Sequence, residues 1–134
     1  MQRKSVLTVA EVERIMDAAR AEAESNQWPV AITVVDDGGH LLGLLRLDDC
    51  APIAAEMAIG KARTSALGRR ESRMYEEMIN AGRTAFVSAP LVATLEGGVP
   101  VVVDGQVVGA IGVSGVKPGE DARIAKAGAN TLAR

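Results

Sequence analysis

Two stretches limit the architectures open to this chain. "VAITVVDDGGHLLGLLRL" (Val30 to Leu47) and "VPVVVDGQVVGAIGVSG" (Val99 to Gly115) each join two apolar, largely β-branched or leucine-rich runs through a short Asp/Gly turn. That is the sequence form of a β-hairpin, and Asp104-Gly105 is its strongest two-residue signal. Hairpins imply a mainly antiparallel sheet. In the first pair the apolar residues occupy both parities, which predicts strands covered on both faces.

Helical patterns flank the hairpins. Thr8 and Glu11 have capping-box spacing, and Val12, Ile15, Met16, Ala19 and Ala23 follow at helical intervals up to Asn26-Gln27-Trp28-Pro29. After Pro52, alanines at 54, 58, 62 and 66 form a stripe of small side chains that lets a second helix, ending near Gly68, lie close against a sheet. "ESRMYEEMINAG" predicts a third helix with Met74, Met78 and Tyr75 inward, stopped at Gly82. Thr84 to Glu96 has no readable period. A last helix is expected after "SGVKPGED", reaching the C-terminus through Ile124, Ala125 and Ala127 or Gly128. The order is α-β-β-α-α-β-β-α, an α+β layer architecture in one domain spanning residues 1–134. Gly109, Gly112 and Gly115 are too many for a free-standing strand and predict close approach by another backbone or a ligand.

Composition removes several classes of function. Fifteen basic residues against 17 acidic ones, without long like-charged runs, leave no electrostatic footprint for nucleic acid. No apolar run has the length of a membrane helix, and the basic opening segment is interrupted by Glu11, Glu13 and Arg14 where a signal peptide needs an apolar core. A cytoplasmic protein is expected, and its single cysteine, Cys50, reads as an inert thiol. Trp28, Tyr75 and Phe86 are the only aromatic residues, so the core must pack by close backbone approach and not by large rings.

Four ordered blocks, "VVDDGGHLLGLLRLDD", "AEMAIGKARTSA", "LEGGVPVVVDGQVVGAIGVSG" and "ED" opening a terminal helix, together resemble the GlcG/HbpS-like family, to which the C-terminal domain of PduO-type proteins is related. The resemblance spans nearly the whole chain. It implies a profilin-like α+β fold, a homo-oligomer (a dimer or a larger ring), and haem or related tetrapyrrole binding for some members.

His40, the one histidine, follows Gly38-Gly39. It suits an axial haem-iron ligand or a general base, and equally a turn residue spent on a backbone hydrogen bond. The Gly-Gly turn places it at the rim of the sheet, where a planar ligand could slide against Leu42. Arg46 shares its parity but lies six residues on, roughly 20 Å along a regular strand, so both reach one small ligand only through a bulge or a symmetry mate. An ion pair of Arg46 with Asp48 or Asp49 is the favoured reading over anion binding. Lys61 borders the alanine stripe and either snorkels out or enters a pocket. Glu96 before Gly97-Gly98 suits a general acid or base beside a ligand cavity bounded by Lys61, or else a solvated turn.

Three functions follow from these residues. The first is a haem- or tetrapyrrole-binding protein with His40 on the iron and Leu42 against the ring. The second is a cofactor-independent lyase, hydratase or isomerase acting on a small organic acid, with Glu96 or His40 moving a proton and Arg46, Lys61, Gly97 and Gly98 holding the substrate. The third is a noncatalytic oligomeric accessory subunit. "SGVKPGED" lacks a Walker pattern, and Glu120 and Asp121 supply the first-turn charges of a capped helix instead of a phosphate site.

Overall fold

The computed structural model describes residues 1–134. Its elements are α1 (Val9–Ser25), β1 (Ala31–Asp36), β2 (Leu41–Arg46), α2 (Ile53–Gly68), α3 (Ser72–Asn80), a 3-10 turn (Thr84–Ser88), β3 (Gly98–Val103), β4 (Gln106–Ser114) and α4 (Pro118–Ala129). The expected α+β order is the observed one. The four strands form one antiparallel sheet in the order β2-β1-β4-β3, with the N-terminal strand of one hairpin beside the C-terminal strand of the other. Asp104 and Gly105 both take positive φ, 51° and 78°, the mirror-image turn that matches the strand twist. At the start of α1 the Thr8 N–H donates to Glu11 Oε2 at 3.1 Å, one half of the capping box read from the sequence.

Helices cover the two faces unequally. On one face α1 and α4 bury the larger apolar cluster, in which Ile15, Ile32, Ile111 and Ile124 are wholly inaccessible. Burial of each such side chain stabilises the fold by about 1.5–3 kcal/mol. On the other face α2 presents alanines, giving two small clusters: Ala31, Cys50, Ala54 and Ala58, then Val35, Ala62, Ala66 and Ala110. The helix comes this close because two strands lack side chains beneath it. A Cβ at Gly112 would overlap the Ala58 carbonyl oxygen and sit 2.5 Å from the Ala62 nitrogen, and one at Gly98 would overlap the Lys61 carbonyl oxygen. Of the three glycines expected to admit a close neighbour, Gly112 thus meets the backbone of α2, whereas Gly109 meets the Val35 carbonyl and Leu7, and Gly115 meets the Pro29 carbonyl.

Three expectations need correction. β2 is not covered on both faces: Leu41, Leu42 and Leu44 are exposed, because α2 lies over β4, β1 and β3 and leaves the edge strand bare. In α3 it is Tyr75 that packs inward, against Gly68, with the Phe86 ring 5.8 Å away, while Met74 is exposed and Met78 half-buried. α4 starts at Pro118, before Glu120 and Asp121, and ends at Ala129. Proline at the first turn is compatible with a helix because its missing N–H has no intrahelical acceptor there.

The α2 seam has a measurable consequence. Gly112→Ala drives a methyl into backbone that cannot rotate away and is expected to cost about 3 kcal/mol, whereas Gly119→Ala, with open space around the new methyl and a helical setting, gains a few tenths or more. Urea unfolding midpoints of the two variants decide it, and equal midpoints would show that α2 is free to shift.

Candidate functional site

Each end of the β1–β2 hairpin carries a distinct set of polar residues. At the turn, Asp36 Oδ1 accepts the N–H groups of Gly38 (2.9 Å) and His40 (3.0 Å), and His40 Nδ1 lies 3.2 Å from the same oxygen. Asp37 is tied to Lys4 and to Arg69, whose Nη1 also donates to the Asp37 carbonyl. The turn is therefore held from three sides. The His40 ring is 82 % exposed, and its Nε2 has no hydrogen-bond partner. Asp36 thus orients the imidazole with Nδ1 inward and Nε2 outward, as a carboxylate does behind a metal-binding histidine.

Burial pushes the Asp36 carboxyl up, but the His40 and Gly38 amides and the His40 ring together pull it lower still, to a net value below the ordinary 3.8. A carboxyl depressed on folding adds stability that is present above its unfolded value and is lost as the pH falls through its folded one. Asp36→Asn should accordingly narrow the difference between neutral and acid unfolding midpoints below pH 3.8, and an unchanged difference would mean that the turn carboxylate is not engaged.

Beyond the turn a bulge reorganises β2. Val35 pairs with Leu41 and Val34 with Gly43, leaving Leu42 as the extra residue. Gly43 faces α1, since a Cβ there would be 2.7 Å from Met16 Sδ, so Leu42 and Leu44 point to the opposite face. Leu41 joins them, because its partner Val35 belongs to the α2-side cluster. Leu41, Leu42 and Leu44, exposed by 53 %, 42 % and 42 %, form one apolar strip leading away from His40. Leu67 of α2 closes the near end beside Gly39.

Arg46 ends the strand. The ion pair expected with Asp48 or Asp49 does not form: Asp49 takes a φ of 67° and Cys50 N–H closes back on the Leu47 carbonyl at 3.4 Å, so the two carboxylates leave along the turn. Arg46 is exposed and without an ionic partner, at the wall of an open cavity of about 420 Å³ that also contains Trp28 and Arg20. His40 and Arg46 thus stand at opposite ends of one strand, as its length requires.

Lys61, Glu96, Gly97 and Gly98 make a different arrangement from the cavity expected of them. Lys61 is 4 % exposed, and its Nζ donates to the Val113 carbonyl (3.0 Å) and to Asp121 Oδ2 (3.1 Å). Gly97, with φ 132°, lies against its side chain, and Gly98 against its backbone. The space over Gly98 is taken by the α2 backbone, and that over Gly97 by the Val113 carbonyl and the Lys61 side chain. Glu96 is half-buried, its N–H donating to Glu76 Oε2 at 3.0 Å.

Asp121, not singled out beside Lys61 from the sequence, is the buried partner, and its Oδ1 also accepts the Val116 N–H at 3.1 Å. Burial raises the Asp121 carboxyl above its ordinary value, opposed by Lys61 and the Val116 amide. The signal for it was the lysine itself, since an ammonium beside an alanine stripe demands a counter-ion. Cys50 is buried, and burial pushes its thiol up, away from reactivity. No helix of the protein is long and apolar enough to cross a membrane, and no cluster of three or more metal-ligating His, Cys, Asp or Glu residues occurs.

This fold, with its ordered hairpins and the alanine-faced α2, matches a known family. Residues 7–130 fit the family described as haem degrading protein HbpS-like, and the chain belongs to the HbpS-like family. It is 61 % identical to Protein GlcG of Escherichia coli K12 over 114 residues, 85 % of each chain. It is 30 % identical to a double mutant of Streptomyces reticuli HbpS, with a TM-score of 0.89 covering 100 % of this chain and 92 % of that one. The PduOC–haem complex shares the fold at 22 % identity, with a TM-score of 0.85 over 97 % of this chain and 100 % of that one.

The buried pair yields its own test. Lys61→Met leaves Asp121 without its counter-ion and is expected to cost about 3–5 kcal/mol, while Lys61→Met with Asp121→Leu regains most of it. Denaturant titration measures both. If the single variant is as stable as the parent, the pair is not what joins α2 to α4.

Proposed function

We propose that this protein binds haem or a related tetrapyrrole at the turn end of the first hairpin, with His40 Nε2 as the iron ligand and Leu41, Leu42 and Leu44 against the porphyrin. One observation carries the reading: a histidine whose outer nitrogen is unengaged stands at the head of a bare strip of three leucines. A monomer exposes such a strip only at a cost, and a flat apolar ring is the kind of ligand that covers it. Membership of a family described by haem degradation, and the fold shared with a haem complex, support the same ligand class.

The residues present fit the group. Asp36 holds Nδ1 so that the basic nitrogen is Nε2, the tautomer an iron ligand needs. The leucines supply an apolar wall, and no aromatic ring is required for that contact. When bound, haem would bring redox-active iron to the protein rim, while the protein fixes the ligand and its orientation. The organic-acid enzyme has less support, since Lys61 is spent on Asp121 and cannot hold an anion. Self-association belongs to the proposal as well, because the strip lies along a free sheet edge.

Titration of the protein with haemin tests the reading. A sharp Soret band saturating at one equivalent per chain is expected. His40→Ala should lose the histidine-ligated Soret band and bind haemin at least about tenfold more weakly. Its thermal midpoint should barely change, because an exposed ring contributes little packing. A parent without a saturable band ends the haem reading, and a His40→Ala variant that binds as the parent does ends the role of His40.

A further inference from the structure

The outer edge of β2 carries information that ligand binding to one chain does not use. Leu47 N–H donates to the Val30 carbonyl at 2.9 Å, which fixes the phase of the β1–β2 ladder. Leu45 and Gly43, at the same phase, turn their backbone groups toward β1. Leu44 and Arg46 turn theirs outward, where no side chain or loop meets them. Exposed edges are ordinarily guarded by proline or by charge. The opposite edge, β3, contains Pro100, whereas β2 contains no proline and a single charge, Arg46, at its last residue.

We infer that β2 pairs antiparallel with β2 of a second copy about a two-fold axis at Leu44, and that the pairing sets the partner's Arg46 beside the His40 turn. The register follows from which groups face outward. With Leu44 opposite its own counterpart, Leu42 lies opposite the partner's Arg46, so both outward-facing residues find partners. The bulge sits at the Leu41–Leu42 end and leaves the stretch to Arg46 regular.

Side chains and charges agree with this register. Leu42, Leu44 and Arg46 share the α2 side of the sheet, on the part of it that α2 leaves bare, as the pairing of Ala31 with Arg46 and the α2-side position of Ala31 show. Two such strips would join into one apolar floor of six leucines. Arg46, a cation without an ionic partner, would approach the turn end of the partner hairpin, where Asp36 and His40 lie. The next position along the partner there is His40, about 7–8 Å away between backbones. Its carbonyl accepts from Asp36, which follows the α2-side Val35, so its side chain starts on the other face and the guanidinium would meet it around the open rim of the sheet. His40 and Arg46, too far apart within one chain, would then serve one site from two. That last step rests on the haem reading: a tetrapyrrole with its iron on His40 carries carboxylates, and a guanidinium is their natural counter-ion. The strand pairing itself does not depend on haem.

The pairing is tested without ligand. Sedimentation of the parent at micromolar concentration should show a dimer or a multiple of it. Leu44→Lys, which opposes two ammonium groups at the axis, and Leu44→Pro, which removes the outward N–H, should each weaken association at least about tenfold with circular dichroism unchanged. If the proline variant does not fold, the lysine variant decides. In a Cys50→Ser background, Leu44→Cys should crosslink to its own copy through a short bismaleimide, and Val87→Cys, exposed but remote from the edge, should not. A monomeric parent, or a dimer that neither weakens nor crosslinks at position 44, overturns the pairing. The shared site is read by haemin titration of Arg46→Ala. Several-fold weaker binding by a variant that still dimerises supports it, and unchanged binding overturns it. A parent that crosslinks yet takes up no haemin refutes the haem reading and the shared site while leaving the strand pairing standing.

Discussion

The ion pair of Lys61 and Asp121 is the contact on which the other layers depend. Two charged groups, each less than 5 % exposed, are stable because each has two partners: the ammonium a carboxylate and the Val113 carbonyl, the carboxylate the ammonium and the Val116 amide. The four groups come from α2, the end of β4, the link after it and the first turn of α4. The pair therefore joins the helix on one face of the sheet to a helix on the other, around the end of the strands. It forms because α2 lies almost on the sheet, which in turn requires Gly97, Gly98 and Gly112 beneath it. Glycines that resemble a ligand cradle in the sequence serve this internal closure.

With that closure in place, the free chemistry of the protein is displaced to the first hairpin. Its turn is fixed by Asp36 and Asp37, so the imidazole of His40 is aimed without being buried. Its strand is at the sheet edge, so the leucines stay bare. One carboxylate thereby closes the turn through two backbone amides and lies against His40 Nδ1, leaving Nε2 outward. A bulge does the remainder, placing Leu41 and Leu42 on the same face although they are adjacent in sequence.

How much of this was legible follows from which interactions are local. The hairpins, the Asp104-Gly105 turn and the capping box of α1 are short-range features, and they were read with their order intact. The bareness of β2 was not, because a run such as "HLLGLLRL" states that side chains are apolar without stating what covers them. Strand order decides that, and strand order is nonlocal. Asp121 escaped for the same reason: first-turn acidic residues are usually solvated, and only a lysine 60 residues away makes this one a buried partner. In α3, Met74 and Tyr75 are adjacent, and helical period alone could not choose which turned inward. For Arg46 the misleading feature was proximity, since Asp48 and Asp49 are near in sequence but the left-handed turn at Asp49 carries them off.

The alanine-to-glycine seam under α2 also shapes how such a protein can diverge. Ala54, Ala58, Ala62 and Gly112 are already at or near the smallest side chains available, so almost every change there adds volume. A core built on leucine or phenylalanine can drift in both directions, with one residue shrinking as its neighbour grows. This seam has no such reciprocal moves and acts as a one-way barrier. Diversification is thereby channelled to the flank of α2 and to the open strand beside it, which can change without reworking the scaffold.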